Sequence, residues 1–204
     1  MGILSPSISL TRYKVEGNLE RPLKEAVLEG LTQNAISTME DEVSDKTIGW
    51  ASFKGPFRSD FDGYAFIYGH YFAFSLRIDK KSIPPTLIRK YIALESEKKL
   101  KGSGRAFLSR DEKKMIKEHV LNLLHLRIPA TPSIYDILWN YENGVLFFFT
   151  NLKNPNETLE TIFHASFNLS LIRLFPYTMA DMASGLTNPE RDILQQLTPT
   201  PWSA

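Results

Sequence analysis

Prolines and glycines bracket two helical patterns between Pro84-Pro85 and Pro129, and this segment constrains the fold more than any other. Leu87, Ile88, Tyr91, Ile92 and Leu94 recur at helical spacing, the pattern runs to Lys101, and Gly102-Ser103-Gly104 ends it. Ser109 with Glu112 three residues later is a capping box, and Met115, Ile116, Val120, Leu123 and Leu124 give the buried stripe of a second helix ending near Arg127. Roughly seventeen or eighteen residues per helix, at about 1.5 Å each, make an arm roughly 25 Å long. Its apolar stripe is too narrow to bury both helices completely, so the pair must project from whatever else the chain builds.

On either side of the arm the patterns are those of sheet with one helix each. Ser7 to Val15 reads as a strand, Gly17-Asn18 as a turn, and Leu23, Ala26, Val27 and Leu31 as the stripe of a helix from Leu19 to about Ile36, with Asn18 as its N-cap. Ile48 to Phe53 is a strand, and Tyr64 to Ile78 is a longer aromatic one broken near Gly69-His70 into a hairpin or a bent strand. Beyond Pro129 and Pro132, Ile134 to Tyr141 and Val145 to Thr150 are strands joined by Glu142-Asn143-Gly144, a strong hairpin signal. Leu159, Ile162, Phe163, Ser166, Phe167 and Ser170 then mark a long helix that starts at Asn156 or Thr158 and runs to about Leu171. Leu174-Phe175-Pro176 reads as a short strand, and Asn188-Pro189-Glu190 opens a last helix to about Leu197.

The expected fold is therefore α+β: two small sheet-plus-helix layers with a projecting basic helical pair. The boundaries that follow are an N-terminal half over 1–78, the arm over 79–128, a second half over 129–178 and a tail with a short helix over 179–204.

Composition narrows the chemistry. With 43% hydrophobic residues, 12% aromatics and 23% charge, the 204-residue chain matches an ordinary soluble globular protein. It has no cysteine, which excludes disulfides, thiolate metal cages and a cysteine nucleophile. No run of about 18 apolar residues is present and the start lacks the basic region of a signal peptide, so a cytoplasmic protein without a membrane segment is expected. Net charge is only +1, but its distribution is lopsided. Arg77 to Glu118 holds 13 Lys and Arg against 6 Asp and Glu, a net +7, which leaves −6 for the remainder.

Catalytic patterns are thin. The four histidines, His70, His119, His125 and His164, form no His-x-x-x-His pair. A metal-dependent nuclease would need converging carboxylates, for which Asp60, Asp62, Asp79 and Asp136 are the candidates, but the turn Asp60-Phe61-Asp62-Gly63 accounts for the first two. Neither a phosphate-binding glycine loop nor a Gly-x-Ser-x-Gly nucleophile motif is present. The expectation is a protein that is not an enzyme and has no metal or cofactor. The aromatics Tyr64, Phe66, Phe72, Phe74 and Phe147-Phe148-Phe149 could stack bases, but a sheet covered by helices needs them for its core.

The basic segment carries the remaining function. Lys80, Lys81, Arg89, Lys90, Lys98, Lys99, Lys101, Arg105, Arg110, Lys113, Lys114 and Lys117 can displace counterions from a phosphate backbone, giving salt-sensitive affinity without sequence preference. A solvated helix surface laced with ion pairs is the competing reading, and an arm that binds a protein is another.

The order of these features resembles the RdgC family, the recombination-associated proteins of bacteria. Ile48-Gly49-Trp50 resembles the family's Gly-Trp strand, and Lys81-Ser82-Ile83-Pro84 with Ile88 resembles its entry to the helical arm. Ser109-Arg110-Asp111-Glu112-Lys113, continuing through Lys117, Val120, Leu123 and Leu124, resembles its second arm helix, and the Asn143-Gly144 hairpin sits where the family has one. The resemblance implies a nucleoid-associated homodimer that rings double-stranded DNA and shields it from the RecA recombinase. It also implies that Lys81, Arg89, Lys113 and Lys117 face phosphates, and that Gly102-Ser103-Gly104 or the region from Arg127 to Pro129 helps close the ring. Familiar members are substantially longer, so a horseshoe, a different dimer or loss of the RecA-directed role is also compatible with these residues.

Overall fold

The computed structural model describes residues 2–19, 22–37, 45–61, 64–183 and 185–198. Among these, seven strands form one antiparallel sheet: β1 (Thr11–Glu16), β2 (Lys46–Ser52), β3 (Ile67–Tyr68), β4 (Tyr71–Lys80), β5 (Thr131–Asn140), β6 (Val145–Phe148) and β7 (Ser170–Arg173). Their order is β2-β4-β5-β6-β1-β7, with β3 folded back on β4. The α+β class read from the sequence is the class adopted, but the two expected layers are one. β4 and β5 pair along ten residues, from Tyr71↔Asn140 to Lys80↔Thr131, and so join the strands of both halves. The period-2 pattern explains the match: Phe72, Phe74 and Leu76 meet Trp139, Ile137 and Tyr135 across the ladder on one face.

That face is closed by α1 (Leu23–Gln33) and α4 (Lys153–Phe167), which pack against each other and the sheet. Trp50, Phe72, Phe74, Phe148 and Tyr13 from the strands are fully buried with Val27 and Leu31 of α1 and Leu159 and Phe163 of α4. Trp50 lies at the centre of this contact: its ring stacks on Phe167 at 5.9 Å and its Nε1 donates to Ser166 Oγ at 2.8 Å. These positions correct the base-stacking alternative, because Phe66, Phe72, Phe74, Phe148 and Phe149 are all buried.

The helices meet so closely that Gly30 of α1 has no room for a side chain: a Cβ there would fall 2.5 Å from the Ser166 carbonyl and 2.6 Å from the Phe167 ring. Gly30→Val is therefore expected to destabilise the fold by about 1–3 kcal/mol through overpacking. A urea titration should show a lower midpoint with an unchanged slope.

Element ends differ from expectation for local reasons. α1 begins at Leu23, not Leu19, because Pro22 holds an extended ψ of 124° in the capping position in place of Asn18. α4 begins early, at Lys153, since Pro155 is tolerated in a first turn whose N–H groups need no helical partner. It ends early because Asn168 turns left-handed, at φ 53°. Residues 170–173, expected in part as helix, are consequently free to become β7, and Phe175 precedes α5 (Pro176–Ala183) instead of lying in a strand. Thr187 and Glu190 form a capping box for α6 (Asn188–Gln196). Among the described residues no helix is long and apolar enough to cross a membrane.

Candidate nucleic-acid interface

The connection between the neighbouring strands β4 and β5 contains α2 (Pro85–Ser103) and α3 (Arg110–Arg127), so the helical pair grows from the end of a β-hairpin. Ser109 Oγ accepts from the Glu112 N–H at 3.2 Å while Glu112 Oε2 accepts from the Ser109 N–H at 2.9 Å, the capping box that the sequence announces. Gly104, at φ 62°, closes α2. The arm has its own small core, in which Leu108, Ile116, Val120 and Leu124 are buried against Leu87, Ile88, Tyr91 and Ile92. α2 contributes no fully buried residue, and Phe107 between the helices is 85% exposed.

The twelve basic candidates separate into three groups. Five are tied to acids on the arm itself: Lys98 to Glu95 at 2.7 Å, Lys101 to Glu97 at 2.7 Å, Arg105 and Lys99 to Glu112 at 2.6 and 3.7 Å, and Lys114 to Glu118 at 4.0 Å. Lys81 stands apart: it is 7% exposed, with its backbone N–H donating to the Asp45 carbonyl. Lys80, Arg89, Lys90, Arg110, Lys113 and Lys117 are exposed and have no acidic partner among the described residues.

Helical spacing gathers part of this last group. Arg110, Lys113, Lys114 and Lys117 stand at i, i+3, i+4 and i+7 of α3, one exposed face carrying four cations. Among the described residues, only Lys114 has an acid within ion-pair distance, and at 4.0 Å between two mostly exposed groups that pair is weak. The face carrying Met115 and His119 is different in character. It borders a cavity of about 490 Å³ shared with Glu95, Lys98 and Lys99 of α2, where positive charge is locally balanced.

At the arm tip, the Ser109 N–H and then the Arg105 guanidinium hold the Glu112 carboxyl down at about 2, against an ordinary 4.5. Because the folded value is depressed, the stabilisation from this group is complete above about 4.5 and is lost as pH falls toward about 2. Arm helicity followed by circular dichroism should decline through that window in the parent, and Glu112→Gln should remove this component of the acid transition.

Carboxylates do not assemble a catalytic centre among the described residues. Asp60 is exposed on its loop, Asp79 is bound to Arg77 at 2.7 and 2.5 Å, and Asp136 accepts from Ser75 Oγ at 2.9 Å and the Ile3 N–H at 3.0 Å. Asp62 lies outside the described residues. No group of three His, Asp or Glu side chains is placed to hold a metal among those described. His70 Nδ1 lies 2.7 Å from Glu142 and His125 Nδ1 lies 3.1 Å from Asp45, so each ring is beside a single carboxylate.

One cationic site is absent from the sequence reading. Lys80, grouped there with the arm, instead ends β4 and lines a groove with Lys46 of β2 and Lys153 of α4. Nothing in the local sequence signals this, because β2–β4 pairing brings together residues 34 positions apart and the placement of α4 beside the sheet adds one 73 positions from Lys80. No protein-family model matches the chain, and no curated protein matches it.

Proposed function

We propose that the chain binds duplex DNA without sequence preference through α3 of the arm and modulates recombination without catalysis, as the resemblance to the RdgC family also suggests. The observation that supports this most is the stripe of Arg110, Lys113, Lys114 and Lys117, three of which lack an acidic partner among the described residues. Such a face, on a hairpin with its own small core, can lie along a phosphate backbone while the trunk stays clear of the groove edges. Phosphate contacts of this kind position a protein and carry no base information.

A mobility shift of labelled duplex across a salt series, with and without Mg²⁺, tests the reading. Expected are binding at low salt, a linear loss of log affinity with log salt, and intact DNA in both arms. A preference on the order of a hundredfold for one duplex sequence would indicate base-edge readout and overturn it. Mg²⁺-dependent cleavage would overturn the non-catalytic part. Homodimer formation belongs to the same proposal, and native mass with and without duplex checks it.

A second reading, an arm that docks a protein, is favoured by Phe107, whose ring is 85% exposed beside the tip. Phe107→Ser separates the two: it leaves the salt slope for DNA unchanged and abolishes a contact made by the tip.

A further inference from the structure

Residues 101–107 at the arm tip are all exposed, and Phe107 is the one aromatic side chain among them. Both of its flanks are anchored. Arg105 is bonded to Glu112 at 2.6 Å, Leu108 is buried in the arm core, and the capping box fixes Ser109. The core that takes Leu108 begins one residue away, yet the ring of Phe107 is left outside it and forgoes the stabilisation that burial brings. Exposure alone would suit a protein contact, but the charge around the ring favours a different occupant. Arg105 precedes it by two residues and Arg110 follows by three, a separation of at most about 11 Å along the chain. From Arg110 the stripe through Lys113, Lys114 and Lys117 continues along α3 for about 10 Å. Of the two acids in the first turn of α3, Glu112 is taken up by Arg105, Lys99 and the Ser109 N–H, which leaves only Asp111 there. A polyanion that also presents flat apolar rings meets both features, and nucleic acid has that chemistry: phosphates for the stripe and a base for Phe107.

We propose that Phe107 stacks on a base at the end of the phosphate track held by α3, so that the arm favours DNA containing an unpaired base over intact duplex. The proposal rests on duplex binding by α3 and adds the class of DNA that this site prefers. Prising apart a step of intact duplex costs about as much as one aromatic contact contributes, whereas at a bulge the base is already free to stack. Stacking of this kind tolerates any base, so it adds no sequence preference.

Competition binding of the full chain at low salt tests it, with two duplexes of the same sequence, one intact and one carrying a single unpaired adenine. The parent should bind the bulged duplex about tenfold more tightly, as expected for one base stacked on an aromatic side chain. Phe107→Ser should bind both duplexes as the parent binds the intact one, with the salt slope unchanged because no phosphate contact is lost. Phe107→Trp should keep the preference, which a damaged arm would not. Equal binding of the two duplexes by the parent overturns the proposal and leaves duplex binding by α3 in place, whereas no binding of either overturns both. Loss of the preference in the tryptophan variant as well as the serine variant also overturns it. So does a preference that survives in Phe107→Ser, and if the native mass of the free chain falls in that variant, the ring is assigned to a protein contact instead.

Discussion

Alanine at Arg110, Lys113 and Lys117 together is expected to flatten the dependence of log duplex affinity on log salt by about 2.7, since each phosphate contact contributes about 0.9. The argument rests on the absence of acidic partners for these three cations among the described residues, so their full charge is available to the backbone. The weakening should be uniform across duplex sequences, as for contacts that never touch a base edge. A matched control removes an equal number of cations and acids: Glu95→Ala with Lys98→Ala deletes a bonded pair at 2.7 Å, conserves net charge, and should leave the slope almost unmoved. If the control flattens the slope as much as the triple variant does, the stripe is not the contact surface and the account fails. The slope is the more informative readout, because it counts contacts, whereas an affinity at one salt concentration does not.

The second large effect concerns the trunk. Trp50→Ala should destabilise the fold by about 3–5 kcal/mol, the range for deleting a large buried aromatic side chain. Trp50 is fully buried, meets Phe74 edge-on at 5.2 Å, stacks on Phe167 at 5.9 Å and donates to Ser166. It therefore joins β2 to β4 and to the C-terminal turn of α4, and neighbouring rings cannot collapse fully into the space it leaves. Trp50→Phe keeps most of the ring area and loses the N–H donor, so a loss nearer 1 kcal/mol beyond the packing change is expected. Urea unfolding of both variants checks the ordering, and a cost for the alanine variant below about 1.5 kcal/mol would show that β2 is peripheral to the core.

The sequence disclosed what is local. Ser109 and Glu112 are three residues apart, Asn143-Gly144 spans one turn, and both are found as the pattern says. α3 ends at Arg127 for the same reason, because its period and its Pro129 stop are contiguous in the chain. What was hidden depends on partners distant in sequence. The Tyr71↔Asn140 pairing that unites the two halves spans 69 residues, and neither strand alone reveals it. Lys80 and Lys81 look alike in a run of basic residues, yet the first ends β4 and lines a groove while the second, just past the strand, is buried. Arg105 and Glu112 are too far apart for a one-turn pair, and only the turn between the helices brings them to 2.6 Å. Asn168 was silent as well, since a residue tolerant of a left-handed conformation does not always adopt one.

Because β4 and β5 are hydrogen-bonded neighbours right up to Lys80↔Thr131, the chain leaves and re-enters the trunk through adjacent points. Such a graft point makes arm length a nearly independent variable. Whole helical turns could be added to or trimmed from the tip in matched pairs, altering reach while the ladder beneath keeps every partner. Shape at the outer end of this molecule can therefore drift faster than the body that carries it.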